Sequence, residues 1–223
     1  MGWLDYFITR KHIPKAPFVL KYEYLEQSIP RMRALERLAF TVLDTETTGL
    51  NPKEDYILSC GGIKLKGYSM QINTSLEVYL NAPVIKNEAV KVHGIIAKGE
   101  RTPLSSFGEK ILSYIGADII VGHHIGFDIA MLEKALKPFG LNKLKNPILD
   151  TLDLAVRLEK GPSFDAPLVG NEYSLDQLCK RYGIETEDRH TAAGDAFLTA
   201  QLLVKLLKVA EKKGIRTYAD LMK

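Results

Sequence analysis

Two carboxylates stand one residue apart where an apolar run ends, in Phe40-Thr-Val-Leu-Asp44-Thr-Glu46-Thr-Thr-Gly49. If the run is a β-strand, Asp44 and Glu46 point to the same side, because side chains alternate with period two along a strand. Two like charges at the end of a buried strand repel each other unless a positive group lies between them. A divalent cation is the usual group of this kind in proteins. The stretch therefore predicts a metal-binding site.

Two later stretches add acids on similar scaffolds. Asp128 follows the strand-like run Val121-Gly-His123-His124 at the start of a predicted helix, and Asp195 comes soon after His190 at the start of another. Taken alone, Asp128 could cap its helix and Asp195 could compensate a helix dipole. His190 and Asp195 converge only if His190 lies in the loop before the helix, because their spacing puts them on different helix faces.

Taken together, the four acids Asp44, Glu46, Asp128 and Asp195 make these separate explanations insufficient. Burying several unpaired carboxylates would be very costly, and no Lys or Arg lies within three residues of the first three acids. Metal ions would compensate the charges. Ligation by oxygen alone is typical of Mg²⁺ or Mn²⁺, whereas Zn²⁺ favours His and Cys.

The motifs Asp-x-Glu-x-Thr-Gly, His-x-x-x-Phe-Asp and His-x-x-x-x-Asp occur in this order along the chain. In this order they resemble the DEDDh class of 3′→5′ exonucleases, which have a ribonuclease H-like fold. The run Leu43-Asp-Thr-Glu-Thr-Thr-Gly-Leu50 is most similar to the epsilon proofreading subunit of bacterial DNA polymerase III and its relatives. The similarity covers roughly residues 39–208. His124 is a departure, because relatives commonly have Asn there.

The resemblance implies a role for each chemical residue. Asp44, Glu46 and Asp195 would hold one metal ion, and Asp44 would bridge to a second, so that two Mg²⁺ or Mn²⁺ ions serve one site. Asp128 would act mainly through metal-bound water. His190 would be the general base that takes a proton from the attacking water.

Substrate contacts are expected from the four residues that directly follow the acids, namely Thr47, Thr48, Gly49 and Leu50. Their backbone N–H groups and the Leu50 side chain could seat the terminal sugar and base. The resemblance adds His93 and Phe127, the latter as a residue that stacks on or wedges between bases. Packing in the core explains Phe127 equally well, and His93 could instead cap a helix.

The scaffold that must position these residues is predicted to be α/β, with a ribonuclease H-like mixed sheet flanked by helices. Strands are predicted over residues 39–46, 56–66 and 71–80 as an antiparallel opening meander, and then over residues 118–122 and from Ile148. Helices are predicted over residues 87–92, 103–115, 128–136, 175–182 and 191–212, with a loop over residues 161–172. Ligands gather beyond the carboxyl ends of strands in such sheets, which is where Asp44 and Glu46 stand.

The distribution of charge separates the first 38 residues from the rest. Residues 1–38 hold seven Lys or Arg against four Asp or Glu, whereas residues 39–223 hold 23 of each. We expect a Pro-punctuated extension over residues 1–38, with short helices at residues 21–27 and 31–38. An exonuclease domain over residues 39–212 and a tail over residues 213–223 would follow. The neutral domain would have to bind a polyanion through local features such as metal ions.

The leading hypothesis is a metal-dependent 3′→5′ exonuclease that releases 5′-mononucleotides from single-stranded DNA or frayed 3′ ends. An enzyme that trims RNA or oligoribonucleotides is the alternative within the class, and a non-catalytic nucleic-acid or polymerase-binding module is the alternative outside it. Proofreading would require a polymerase partner. Two cysteines without CxxC spacing and the lack of an apolar run of about 18 residues favour a cytoplasmic protein.

Overall fold

The computed structural model describes residues 13–81, 101–162, 166–186 and 189–223. The strands in these ranges are β1 (Ala39–Thr47), β2 (Ile57–Lys66), β3 (Ser69–Tyr79), β4 (Ile119–Gly122) and β5 (Ile148–Asp150). They form one mixed sheet in the order β3-β2-β1-β4-β5. The β1–β2 and β2–β3 pairs are antiparallel, and the β1–β4 and β4–β5 pairs are parallel. The predicted antiparallel opening of an α/β sheet is confirmed.

Helices cover both faces of the sheet. They are α1 (Pro17–Glu23), α2 (Leu104–Ile115), α3 (Gly126–Leu136), α4 (Thr151–Lys160), α5 (Leu175–Arg181), α6 (Ala192–Lys212) and α7 (Tyr218–Leu221). One hydrophobic core contains α4, α5 and α6, and a second contains α1, α2 and α3. Among the described helices none is both long and apolar enough to cross a membrane.

The alternation of side chains along β1 divides it between the two cores. Phe40 and Val42 face the core of α4–α6, whereas Leu43 faces the core of α1–α3. Because the period is two, Asp44 and Glu46 continue the face that looks toward α6, and Thr45 looks toward α3. Adjacent residues of one strand can therefore reach helices on opposite sides of the sheet.

Local signals explain where several helices begin. Ser174 Oγ accepts a hydrogen bond from the Gln177 N–H, and Thr191 Oγ1 accepts one from the Gly194 N–H. Both are side-chain N-caps, which satisfy amide groups that have no partner inside the helix. The predicted bounds of α2, α5 and α6 agree with the structure within one residue.

The helices predicted over residues 21–27 and 31–38 were wrong in part, since only residues 21–23 are α-helical. Helix α1 begins at Pro17 and ends at Glu23. Within residues 31–38, only a 3-10 turn over Leu35–Arg37 forms in place of the predicted α-helix. The Leu35 N–H donates to the Arg216 carbonyl at 3.0 Å, and the Arg33 carbonyl accepts from the Tyr218 N–H at 2.8 Å. Backbone groups that pair with the C-terminal segment are not available to close helical turns.

The loop predicted over residues 161–172 is also wrong in part, because residues Ala166–Tyr173 form 3-10 turns. A break at Gly170, with φ of 54°, separates them. Such short turns suit a Gly- and Pro-rich segment that cannot sustain an α-helix.

The described part of the N-terminal segment packs on the main body. Val19 and Tyr22 of α1 are buried in the core of α1–α3. Tyr22 Oη donates to Asn146 Oδ1 at 2.5 Å and accepts from the Lys145 N–H at 2.8 Å. The domain boundaries at residues 38 and 212 stay predictions.

Candidate active site

Asp44 and Glu46 lie where β1 extends beyond its neighbour. The parallel ladder between β1 and β4 covers Phe40 to Val42, so the residues that follow lie beyond the end of that ladder. Glu46 is buried and Asp44 is half-buried. Both carboxylates therefore lie at the carboxyl edge of the sheet, on the face toward α6.

The structure brings Asp195 to these two acids across about 150 residues of chain. One carboxylate oxygen each of Asp44, Glu46 and Asp195 lies within 4.8 Å of the others. Asp195 is in the first turn of α6, whose N-terminus rests on β2. Gly61, opposite Asp44 in the β1–β2 ladder, permits this approach, since a Cβ there would lie 2.2 Å from the carbonyl of Ala192. We call Asp44, Glu46 and Asp195 the acid cluster.

Asp128 reaches the same edge from the opposite face of the sheet. Its Oδ1 accepts hydrogen bonds from the Thr45 N–H at 2.8 Å and from Thr45 Oγ1 at 2.6 Å. It does not cap its helix, because the N-cap of α3 is Ile125 and no side chain serves there. One edge of β1 thus presents acids from both faces.

Burial and mutual repulsion raise the pKa values of these acids. Burial, followed by the charges of Asp195 and Asp128, raises the pKa of Glu46 to about 7. Burial is also the main cause that raises the pKa of Asp128 to about 6, while hydrogen bonds from Thr45 oppose the rise. Burial and then the Asp128 charge hold the pKa of Asp44 well above its usual range. Such a set of crowded oxygen donors fits Mg²⁺ or Mn²⁺.

His190 lies in the turn directly before the N-cap of α6. It is exposed, and its φ of 64° is in the left-handed region, which is uncommon for residues other than glycine. The next residue, Thr191, caps the helix that carries Asp195. His190 therefore has the loop position that convergence with Asp195 requires, and its role as a base stays a prediction.

The segment after the acids forms a turn held by a buried carboxylate. Asp55 Oδ1 accepts from Thr48 Oγ1 at 2.9 Å, and a Cβ at Gly49 would lie 2.6 Å from Asp55 Oδ2. Thr47 Oγ1 donates to the Gly49 carbonyl at 2.7 Å. The Leu50 side chain, by contrast, is 87% exposed. The Asp55 carboxylate therefore fixes the turn, and the turn presents the apolar side chain of Leu50 to solvent.

The loop before α3 is held by Asp150, the N-cap of α4. The two carboxylate oxygens of Asp150 accept from the N–H groups of His124 at 3.1 Å and Ile125 at 3.0 Å. His124 is exposed and left-handed, with φ of 59°. Phe127 is half-buried and packs against the core of α1–α3, which supports its packing role. His93 lies outside the described residues.

Three residues that organise this site were not predicted: Asp55, Asp150 and Arg189. Asp150 had a local signal, since it is an acid immediately before a helix. Arg189 adjoins His190 in sequence, but its partners lie in the first turns of two different helices, α5 and α6. Its Nε donates to Asp176 Oδ1 at 2.6 Å, and its Nη1 donates to Asp195 Oδ1.

Comparisons with known proteins show the family to which the chain belongs. Residues 41–203 match the RNase_T family of exonucleases. The chain is 31% identical over 229 residues to the PolC-type DNA polymerase III of Bacillus subtilis, which covers 97% of this chain and 15% of that protein. It is 30% identical over 216 residues to the same type of polymerase from Listeria innocua, covering 93% and 14%. The chain thus spans a small part of these curated relatives.

Solved structures of E. coli exonuclease I share the fold. The complex with a dT13 oligonucleotide has a TM-score of 0.63 at 19% identity, covering 80% of this chain and 43% of that chain. The zinc-ion-bound complex with single-stranded DNA has a TM-score of 0.62 at 22% identity, covering 79% and 42%. The likeness confirms the predicted ribonuclease H-like sheet flanked by helices.

Proposed function

Since this chain belongs to the RNase_T exonuclease family, we propose that it is a metal-dependent 3′→5′ exonuclease acting on single-stranded DNA or frayed 3′ ends. The observation that carries the proposal is the acid cluster, in which three carboxylates converge within 4.8 Å. Without bound cations, a cluster of this kind would destabilise the fold, because nothing would compensate the burial of its charges.

The acid cluster and Asp128 are the residues that would hold the metal ions. Mg²⁺ and Mn²⁺ suit an all-oxygen donor set, and two ions per site remain part of the proposal. When bound, divalent cations supply positive charge that activates a water nucleophile and stabilises the leaving oxygen of a phosphodiester.

The chain's own residues would complete the hydrolysis. His190 accepts a proton from the attacking water at a ring nitrogen, a bond forms from the water oxygen to phosphorus, and the bond from phosphorus to the 3′ oxygen breaks. The 3′ oxygen then takes a proton from solvent, and a 5′-mononucleotide leaves. The turn after the acids would seat the terminal nucleotide, with Thr47 and Gly49 offering backbone contacts and the exposed Leu50 contacting the base. The Thr48 N–H is not available for this contact, because it donates to the Tyr56 carbonyl at 2.9 Å.

DNA is the proposed substrate because the relatives are named as DNA polymerases and the fold neighbour is bound to dT13. The decisive assay uses a 5′-labelled single-stranded DNA oligomer and the matching RNA oligomer with Mg²⁺ or Mn²⁺. We expect a ladder shortened from the 3′ end on DNA, with 5′-mononucleotide products, and no cleavage in EDTA. Faster cleavage of the RNA would favour the RNA-trimming alternative. Intact oligomers in every condition would favour a binding module.

His190→Ala tests the assignment of the base. We expect the rate of cleavage to fall by about 10²–10⁴-fold, the usual contribution of a general base. Mn²⁺ affinity, measured by titration calorimetry, should stay close to that of the wild type, because His190 is outside the acid cluster. Substantial residual cleavage would remove His190 as the base.

A polymerase partner is proposed on the same relatives, which are polymerases much longer than this chain. Proofreading enzymes act on 3′ ends that have left the template. We therefore expect faster removal of a mismatched than of a paired 3′ nucleotide on a primer–template. Equal rates would favour a role apart from a polymerase.

A further inference from the structure

Arg189 joins two helices through two carboxylates. Its Nε donates to Asp176 Oδ1 in the first turn of α5, and its Nη1 donates to Asp195 Oδ1 in the first turn of α6. The side chains of Arg189 and Asp195 are only 19% and 13% exposed. Their ion pair is therefore shielded from water. A shielded ion pair is less sensitive to salt than an ion pair at the surface.

The pair with Arg189 is compatible with the acid cluster. A carboxylate has two oxygens, so Asp195 can accept from Arg189 at Oδ1 and still offer an oxygen to a cation. The structure shows both features together, since Asp195 also belongs to the set of oxygens within 4.8 Å.

Arg189 also fixes the chain beside His190. Arg189, the residue before His190, is held by the contacts of its guanidinium. Thr191, the residue after His190, is held by its capping hydrogen bond, in which its Oγ1 accepts from the Gly194 N–H at 3.0 Å. His190 lies between these anchors with its left-handed φ of 64°. A strained single residue keeps such a conformation only when its surroundings determine it.

We propose that Arg189 is a positioning residue, held by Asp176, that orients Asp195 for metal binding and fixes the turn of His190. The inference rests on the proposed function, because it assigns Asp195 and His190 their roles there. Asp176 touches the site through Arg189, so its contribution depends on the presence of the guanidinium. Hydrogen-bond partners of metal-ligating carboxylates commonly set the orientation of the ligand.

The test is a double-mutant cycle on the full chain with Arg189→Ala, Asp176→Ala and both together. Mn²⁺ affinity is measured by titration calorimetry, and kcat and KM on a single-stranded oligothymidylate are measured at saturating Mn²⁺. We expect Arg189→Ala to lower Mn²⁺ affinity and kcat by about 10- to 100-fold, with little change in KM. Asp176→Ala should give a smaller loss of the same kind. In the Arg189→Ala background it should add nothing, because contacting residues are not additive.

Two further variants separate positioning from general damage. Arg189→Lys keeps the charge but cannot bridge two carboxylates with a planar fork, so we expect partial recovery of both readouts. Arg181→Ala is the matched control, because it removes an ion-paired arginine of α5 whose partners, Glu159 and Glu172, are outside the site. We expect wild-type metal binding and kcat from it. Circular dichroism would verify that each variant is folded.

Mn²⁺ affinity in Arg189→Ala that equals or exceeds that of the wild type would overturn the inference, since it would make Arg189 neutral or a competitor of the metal. Additive losses for Asp176→Ala and Arg189→Ala would overturn it as well. A wild type that binds Mn²⁺ but cleaves no oligomer would contradict the proposed function. The Mn²⁺ affinities of the variants would still show whether Arg189 orients Asp195. A wild type without Mn²⁺ binding would overturn both.

Discussion

The acids near the two ends of β1 have opposite surroundings. Near the amino end lies Asp118, the residue before β4, which accepts a hydrogen bond from Thr41 Oγ1 at 2.8 Å and forms an ion pair with Lys64. The Lys64 ammonium also lies 4.9 Å from the centre of the Tyr114 ring. Near the carboxyl end, Asp44 and Glu46 face further carboxylates, and their pKa values are raised.

The difference separates acids that stabilise the fold from acids that are candidates for function. An acid with a cation and a hydroxyl donor compensates its own desolvation. Acids that crowd together under burial cost stability, and such perturbed groups concentrate at functional sites. The amino end of β1 therefore contributes to folding, whereas the carboxyl end concentrates negative charge that the cations of the proposed function would neutralise.

The largest effect is expected from neutralising one acid at each end. Asp44→Asn should lower the cleavage rate by about 10²–10³-fold or more, because it removes a ligand from the acid cluster. The same change should raise the melting temperature in EDTA, by about 2–4 °C for each kcal/mol of repulsion relieved. Asp118→Asn should do the reverse, with wild-type cleavage and a loss of stability on the order of 1 kcal/mol. Calorimetry and the oligomer assay measure both; a drop in melting temperature for Asp44→Asn would contradict the contrast.

A smaller, purely steric effect is expected at Gly61. Gly61→Ala places a methyl group 2.2 Å from the backbone of Ala192, so α6 must move away from β2. We expect a destabilisation of about 1–3 kcal/mol, the usual cost of overpacking, together with weaker Mn²⁺ binding as Asp195 leaves the cluster.

Gly62→Ala is its control on the adjacent residue. On the other face of β2, the added methyl group meets the side chain of Tyr114 at 2.7 Å in place of backbone. A side chain can adjust, so stability should fall while Mn²⁺ affinity stays at the wild-type value. Equal losses of Mn²⁺ affinity in both variants would mean that the approach of α6 to Gly61 does not build the site.

An effect of pH on stability is expected in the metal-free protein. The pKa values of Glu46 and Asp128 are raised to about 7 and about 6, so the folded state binds more protons than the unfolded state between about pH 4 and about pH 7. Stability should therefore fall as pH rises through this window, by a few kcal/mol at about 1.4 kcal/mol for each pKa unit. Melting temperatures in EDTA at about pH 5 and about pH 8 measure the fall. Mn²⁺ should reverse it, and a flat profile in EDTA would contradict it.

Local patterns made the strands, most helices and the candidate acids predictable. Period-two alternation put Asp44 and Glu46 on one face, and capping residues such as Thr191 set the start of helices. Prediction failed at residues 31–38, where the sequence suits a helix but the backbone pairs with Arg216 and Tyr218. Pairing with a remote segment leaves no periodic signal in either partner.

The sequence alone determined the candidate residues for the chemistry, because residue type and spacing within a motif are local properties. Only the tertiary structure decided how they meet. The register of β1 with β2 places Gly61 opposite Asp44, and that small residue admits α6 and with it Asp195. The partners of Arg189 were decided in the same way, since contacts between α5 and α6 depend on packing that no single segment encodes.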